Sequence, residues 1–119
     1  MKADLIQKLL NCEITWKEAN AVAPTDSYVI NSENDIYSVD ANTLKRAIEQ
    51  CLDGKYSFCD LLDWANVVRF SDVFMFDEHQ KDCIISILDR IEESDEPNKA
   101  LTKDDLLLML KKINNNMEW

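Results

Sequence analysis

The sequence predicts an all-α domain, a compact bundle of about six helices joined by short polar loops, with a small two-stranded element possible in residues 24–40. Three observations carry that expectation. The 119 residues include one Gly and two Pro, whereas a chain of many strands and tight turns needs residues that tolerate positive φ, supplied mainly by Gly. Apolar residues recur at helical spacing in successive segments. At three places where such a segment opens, a Ser or Thr stands three residues before an acid, the pattern of a capping box.

Leu5, Ile6, Leu9 and Leu10 place a first helix over residues 3–11. Thr15 can accept the amide proton of Glu18 while Glu18 reaches back to Thr15, opening a second helix that stops near Val22, ahead of Pro24. Residues 24–40 carry two readings. Tyr28-Val29-Ile30 and Ile36-Tyr37-Ser38-Val39 fit two short strands around a polar turn at 31–35, and equally an ordered loop packed on the helices; the loop is the preferred reading. A third helix spans 41–52, capped by Asp40 or Asn42, with Leu44, Ala47, Ile48 and Cys51 on one face. It ends at Gly54, where a left-handed cap residue is expected.

Ser57 with Asp60 opens a fourth helix bearing Leu61, Leu62, Trp64, Ala65 and Val68. Residues 72–76 read as a connector, 77–93 as a long helix with Cys83, Ile84, Ile87, Leu88 and Ile91 on its apolar face, and 92–98 as an acidic loop. Thr102 with Asp105 opens a last helix through Leu106, Leu107, Met109, Leu110 and Ile113, and residues 114–119 read as a frayed tail. The stretch from Leu10 to Glu18 echoes that from Leu52 to Asp60: helix, turn, apolar residue, hydroxyl cap, aromatic, helix. A duplicated hairpin and chance reuse of a common solution both explain the echo.

Composition bounds the function. A hydrophobic fraction of 46% suits one globular domain. There are 23 acidic against 13 basic residues, for a formal charge of −10. That field repels phosphate backbones and anionic lipid heads, so direct nucleic-acid or membrane binding is disfavoured and basic protein partners are favoured; plain solubility explains the charge as well. Met1-Lys2-Ala3-Asp4 begins a charged amphipathic stretch without an export signal, so a cytoplasmic location is expected. Cys12, Cys51, Cys59 and Cys83 form no CxxC pair and read as reduced, mostly buried small hydrophobes.

Chemistry finds little to work with. His79 is the one histidine, so a zinc site would need Cys51, Cys59 and Cys83 to converge on it, which no spacing supports. The Gly-rich turns that present oxyanion-hole or phosphate-binding amides are missing. The Asp-rich stretches lack the Gly and closing Glu of a calcium loop. No catalytic activity, cofactor or metal is expected. Trp16, Phe58 and Trp64 read as core. Phe70, Phe74 and Phe76 belong to a run in which Arg69 to Asp77 crowds five large apolar side chains between acids. They are either exposed anchors for a partner or buried between the two long helices.

The run from Leu52 to Leu110 resembles the small all-helical immunity proteins of contact-dependent growth inhibition and related polymorphic toxin systems. The matching features are the helix end at Asp53-Gly54, the Ser57 cap, the Leu61-Leu62-Asp63-Trp64-Ala65-Asn66 segment, the acidic connector, the Ile-rich helix and the start of the final helix at Leu101-Thr102-x-x-Asp105-Leu106. About half the chain is covered, and the amino-terminal half has no counterpart in the pattern. The resemblance implies a one-to-one complex with a cognate toxin domain, commonly a basic nuclease, whose active site the protein covers. Position and chemistry then suggest Asp60, Asp63, Asp72, Asp77, Glu78 and Asp82 as partners for Lys or Arg on the toxin, with Phe74 and Phe76 as apolar anchors. The competing reading is an acidic helical adaptor or regulatory subunit with a non-toxin protein partner.

Overall fold

Four of the helices begin at reciprocal capping boxes: Thr15 with Glu18, Asp40 with Thr43, Ser57 with Asp60 and Thr102 with Asp105. Each satisfies backbone N–H groups that a helix start otherwise leaves without partners. The computed structural model describes residues 1–25, 27–31 and 35–119. Among them the elements are α1 (Ala3–Leu10), α2 (Trp16–Val22), β1 (Tyr37–Val39), α3 (Ala41–Leu52), α4 (Phe58–Phe70), β2 (Phe74–Phe76), α5 (Lys81–Glu92), a 3₁₀ turn (Glu93–Asp95) and α6 (Lys103–Asn114). The result is a mostly helical bundle with one small sheet.

Three helices end in the same motif although the chain holds a single Gly. After α1, Cys12 N–H donates to Leu9 O and Glu13 N–H to Lys8 O; after α3, Gly54 N–H donates to Cys51 O and Lys55 N–H to Gln50 O. After α6, Asn116 and Met117 repeat the pair on Ile113 O and Lys112 O. These are Schellman caps, with Cys12, Gly54 and Asn116 all at positive φ. The echo between the first two turns is therefore one of backbone geometry as well as sequence. The turns also touch: the Tyr56 hydroxyl donates to Ile14 O (2.6 Å) and Arg46 Nη1 to Asn11 Oδ1 (3.1 Å). The residues after α6 are not frayed. The Trp119 N–H donates to Ser86 Oγ, and its ring lies near the cationic ends of Arg90 and Lys112.

One continuous core joins all six helices. Trp64 on α4 is fully buried, and its Nε1–H donates to Leu9 O (3.1 Å), which ties α4 to the end of α1. Trp16 is buried too, with its ring 5.8 Å from that of Tyr28. Phe58 departs from expectation. It is 43% exposed, because Tyr56 occupies the buried position before the Ser57 cap and leaves the first helical residue facing outward. Cys12 and Cys83 are buried, Cys51 is half-buried and Cys59 is exposed, all as free thiols.

Among the described residues of 24–40 only one strand forms, so the two-stranded element is not contained in that segment. Tyr37–Val39 is a strand, but its partner is Phe74–Phe76 from the expected connector, paired in parallel with Tyr37 opposite Phe74 and Val39 opposite Phe76. A parallel pair needs a long crossover, supplied by α3 and α4. Tyr28 to Ile30 is irregular chain instead, held by Ser71, a buried polar residue. Ser71 Oγ accepts the Ile30 N–H (2.8 Å) and donates to Tyr28 O (3.1 Å). The turn expected at 31–35 falls largely on residues 32–34, which lie outside the described residues. Replacing Ser71 by Ala would strand a buried N–H, at a cost of about 1–3 kcal/mol. Urea denaturation of Ser71→Ala measures this, and an unchanged midpoint would show that the 28–30 segment is held by packing alone.

The long helix begins at Lys81, not Asp77. Asp77 N–H is engaged by Val39 O as the last rung of the sheet, and Asp77 Oδ1 accepts the His79 N–H. Residues 77–80 thus form a turn.

Candidate partner-binding surface

The acids and aromatics expected at an interface divide into groups. Asp60 Oδ2 accepts the Ser57 N–H as half of a capping box, and Asp63 Oδ1 accepts the Tyr28 hydroxyl (2.8 Å). Asp72, Asp77, Glu78 and Asp82 are exposed around β2 and the turn that follows it. Phe74 is 6% exposed and stacks obliquely on Tyr37, with ring centroids 6.0 Å apart. It is core, because alternate residues of a strand face opposite ways and β2 turns Phe74 inward. Phe76, on the same face, is half-buried, while Met75 points out. The exposed apolar groups on and next to the two strands include Met75 and Ile36, with Phe70, 49% exposed, at the end of α4. Asp60 and Asp63 lie roughly 10–15 Å back along the α4 axis from Phe70, apart from the group around β2.

A second acidic surface has more shape. A cleft of about 630 Å³ is lined by Tyr28, Asn66, Phe70, Asp89, Glu92, Glu93, Asp95 and Glu96. Two elements build its walls. The face of α4 one turn beyond Trp64 contributes Asn66 and Phe70, while α5 and the following 3₁₀ turn contribute the carboxylates. Tyr28 closes one side from the amino-terminal segment. Arg90 Nη1 donates to Lys99 O and so holds the acidic loop against α5.

The charges of the cleft are unevenly matched. Asp89 pairs with Arg69 (3.1 Å), and Lys99 lies 3.3 Å from Glu93 and 3.7 Å from Glu96. Glu92 and Asp95 have no ion-pair partner among the described residues. Asn66 Oδ1 is buried without a hydrogen-bond partner among those residues. The Asp63 carboxylate that accepts the Tyr28 proton raises the Tyr28 pKa above its ordinary value, so Tyr28 stays a neutral donor at neutral pH. The acidic stretch 92–98 was visible in the sequence, whereas Phe70 could be read there as either exposed or buried and the structure exposes it. Tyr28 and Asn66 gave no signal of their own, since only packing brings them to the same place.

His79 is exposed, and its backbone carbonyl accepts the Asn116 side-chain amide. Among the described residues no group of three or more His, Cys, Asp or Glu side chains is placed to hold a metal ion, and no helix is long and apolar enough to cross a membrane. No family model, curated protein or solved structure matches the chain.

Proposed function

We propose that this chain is an immunity protein that binds a cognate basic toxin domain, commonly a nuclease, and neutralises it by covering its active site. The single observation that supports this reading best is the surface charge. A formal charge of −10 is accompanied by two acidic regions, each beside exposed apolar groups. Long-range attraction of that sign accelerates encounter with a basic domain and rejects other partners, while the apolar groups add short-range hold. The test is a toxicity rescue. The carboxy-terminal domain encoded immediately upstream is expressed with and without this chain, and survivors are counted. Growth arrest reversed only by this chain is the expected result; arrest without rescue rejects the reading.

Charge reversal at Asp77 and Glu78 examines the region around β2. The double Lys variant is expected to weaken toxin binding roughly tenfold at low salt and to flatten its salt dependence. Glu78→Lys alone keeps the Asp77 contact to the His79 N–H, so it separates electrostatics from local structure. If affinity and salt slope both stay unchanged in a titration series, this region does not meet the toxin.

A second reading, an adaptor or regulatory subunit, draws on α6. Leu107, Leu108 and Met117 are each about half exposed, and Leu108 and Met117 border one hollow together with Lys111, Lys112 and Asn115. Binding through those apolar groups would be insensitive to salt, which sets the two readings apart.

A further inference from the structure

We propose that the open edge of β1 takes an added strand, an extended basic segment presented by the protein partner. The assignment rests on the immunity reading for its biological setting, while its physical basis is the backbone of the small sheet. In the parallel pair the Tyr37 N–H donates to Val73 O, and the Asp77 N–H donates to Val39 O. Tyr37 and Val39 therefore direct their polar groups at β2, and the N–H and C=O of Ser38 between them point the other way. Ser38 is exposed, and neither group has a hydrogen-bond partner among the described residues. Unpaired strand groups in solvent are a template for a further strand. The far edge of the sheet is less open, since Phe74 is buried and its N–H donates to Ser71 O.

Side chains and charge decide which strand fits. Alternation puts Ser38 and its cross-strand neighbour Met75 on the outer face. Met75 is 57% exposed there, and Ile36, one residue ahead of β1, is 67% exposed, so alternate apolar residues on an incoming strand find apolar neighbours. The surrounding charge is negative. Asp35 and Asp40 bracket β1, and Asp77 and Glu78 follow β2, all exposed. Burial first, then the Asp35 and Asp4 carboxylates, raise the Tyr37 hydroxyl above its ordinary pKa, which places both acids near the start of β1. Asp40, Asp77 and Glu78 have no ion-pair partner among the described residues. Lys or Arg on the added strand would meet these carboxylates. A second copy of this chain fits poorly, because pairing two β1 edges would bring the acids at the ends of one strand against those of the other. The hollows at Lys2, Leu5 and Val22 and at Leu108, Lys111 and Met117 are apolar, and nothing in either selects an occupant.

The experiment is an amide-resolved NMR titration of the whole chain at low ionic strength with three short capped peptides. One alternates Lys with Val, one alternates Glu with Val, and the third is the Lys peptide with its central Val replaced by Pro. In the free chain the Ser38 amide should exchange with solvent faster than those of Tyr37 and Val39. The Lys peptide should shift residues 36–40 and slow the Ser38 exchange. It should bind about fivefold or more tighter than the Glu peptide, and roughly threefold or more tighter than the Pro peptide, which lacks a strand donor. Ser38→Pro should weaken the Lys peptide to a similar extent and keep the fold, because Pro is tolerated on an edge strand where the N–H faces solvent. Ser38→Ala, which keeps the amide, should bind like the wild type. The Pro peptide decides the matter even if Ser38→Pro does not fold. A protected Ser38 amide in the free chain, equal binding of the three peptides, or shifts centred on the acids at 92–96 would overturn the assignment. So would shifts at 36–40 that grow with the chain's own concentration, which would give the edge to a second copy. Because these probes involve no toxin, failed rescue with a strand-accepting edge rejects the immunity reading, and rescue with an edge that takes no peptide rejects only the added strand.

Discussion

Trp64→Ala should lose about 3–5 kcal/mol of folding stability, more than any surface substitution in this chain should cost. Trp64 is fully buried in the continuous core and hydrogen-bonds the last turn of α1. Removing it deletes the indole's packing and leaves a cavity between elements that cannot close fully. It also removes a donor from Leu9 O, although the Cys12 N–H remains on that oxygen. Domains of this size are typically stable by about 5–15 kcal/mol, so the variant should unfold on mild warming. Trp64→Phe, which keeps most of the ring and loses the N–H, should cost far less. Trp119→Ala, at a partly exposed ring beside Arg90 and Lys112, should cost under about 1 kcal/mol. Guanidinium melts of the three variants give the comparison. A loss below about 2 kcal/mol for Trp64→Ala would mean that the core is not organised around this side chain.

The second large effect is an alkaline loss of stability beginning near pH 9. Burial pushes the Cys12 thiol from its ordinary value of 9.0 up to about 11. The same cause, with the nearby Cys12 thiol and carboxylates adding to it, drives the Tyr56 hydroxyl upward. The sign follows from proton binding. Between these two pH values the unfolded chain has released the Cys12 proton and the folded chain still holds it, so the Cys12 contribution to stability falls as pH rises and levels off above the folded value, while that of Tyr56 goes on falling. Full stabilisation is present below pH 9. A two-unit shift corresponds to at most about 2.7 kcal/mol. Cys12→Ala should make that slope shallower in urea melts taken from pH 8 to 11, the remainder coming from Tyr56 and the raised Cys51 and Cys83 thiols, while Cys59→Ala, at an exposed thiol, should leave it unchanged. If the wild-type and Cys12→Ala curves run parallel, Cys12 ionises in the folded state as freely as in the unfolded one.

What the sequence determined by itself is the local structure. Helix starts at Thr15, Ser57 and Thr102 are legible because a capping box is complete within four consecutive residues, and the end of α3 is legible because Gly54 supplies positive φ at little cost. The apolar faces of α1, α3 and α6 follow from the helical period for the same reason. The tertiary structure decided whatever depends on partners remote in the chain. The sheet was hidden because β1 pairs with a strand beyond two intervening helices, and a three-residue strand is too short to display its period. That pairing turns Phe74 inward while Phe70 stays out, and it claims the Asp77 N–H, so α5 starts later than its acids suggest. The candidate cleft divides in the same way. Its acidic rim at 92–96 is one continuous stretch, but Tyr28 and Asn66 acquire meaning only when Ser71 anchors the irregular segment before it and the packing of Trp64 sets the rotation of α4.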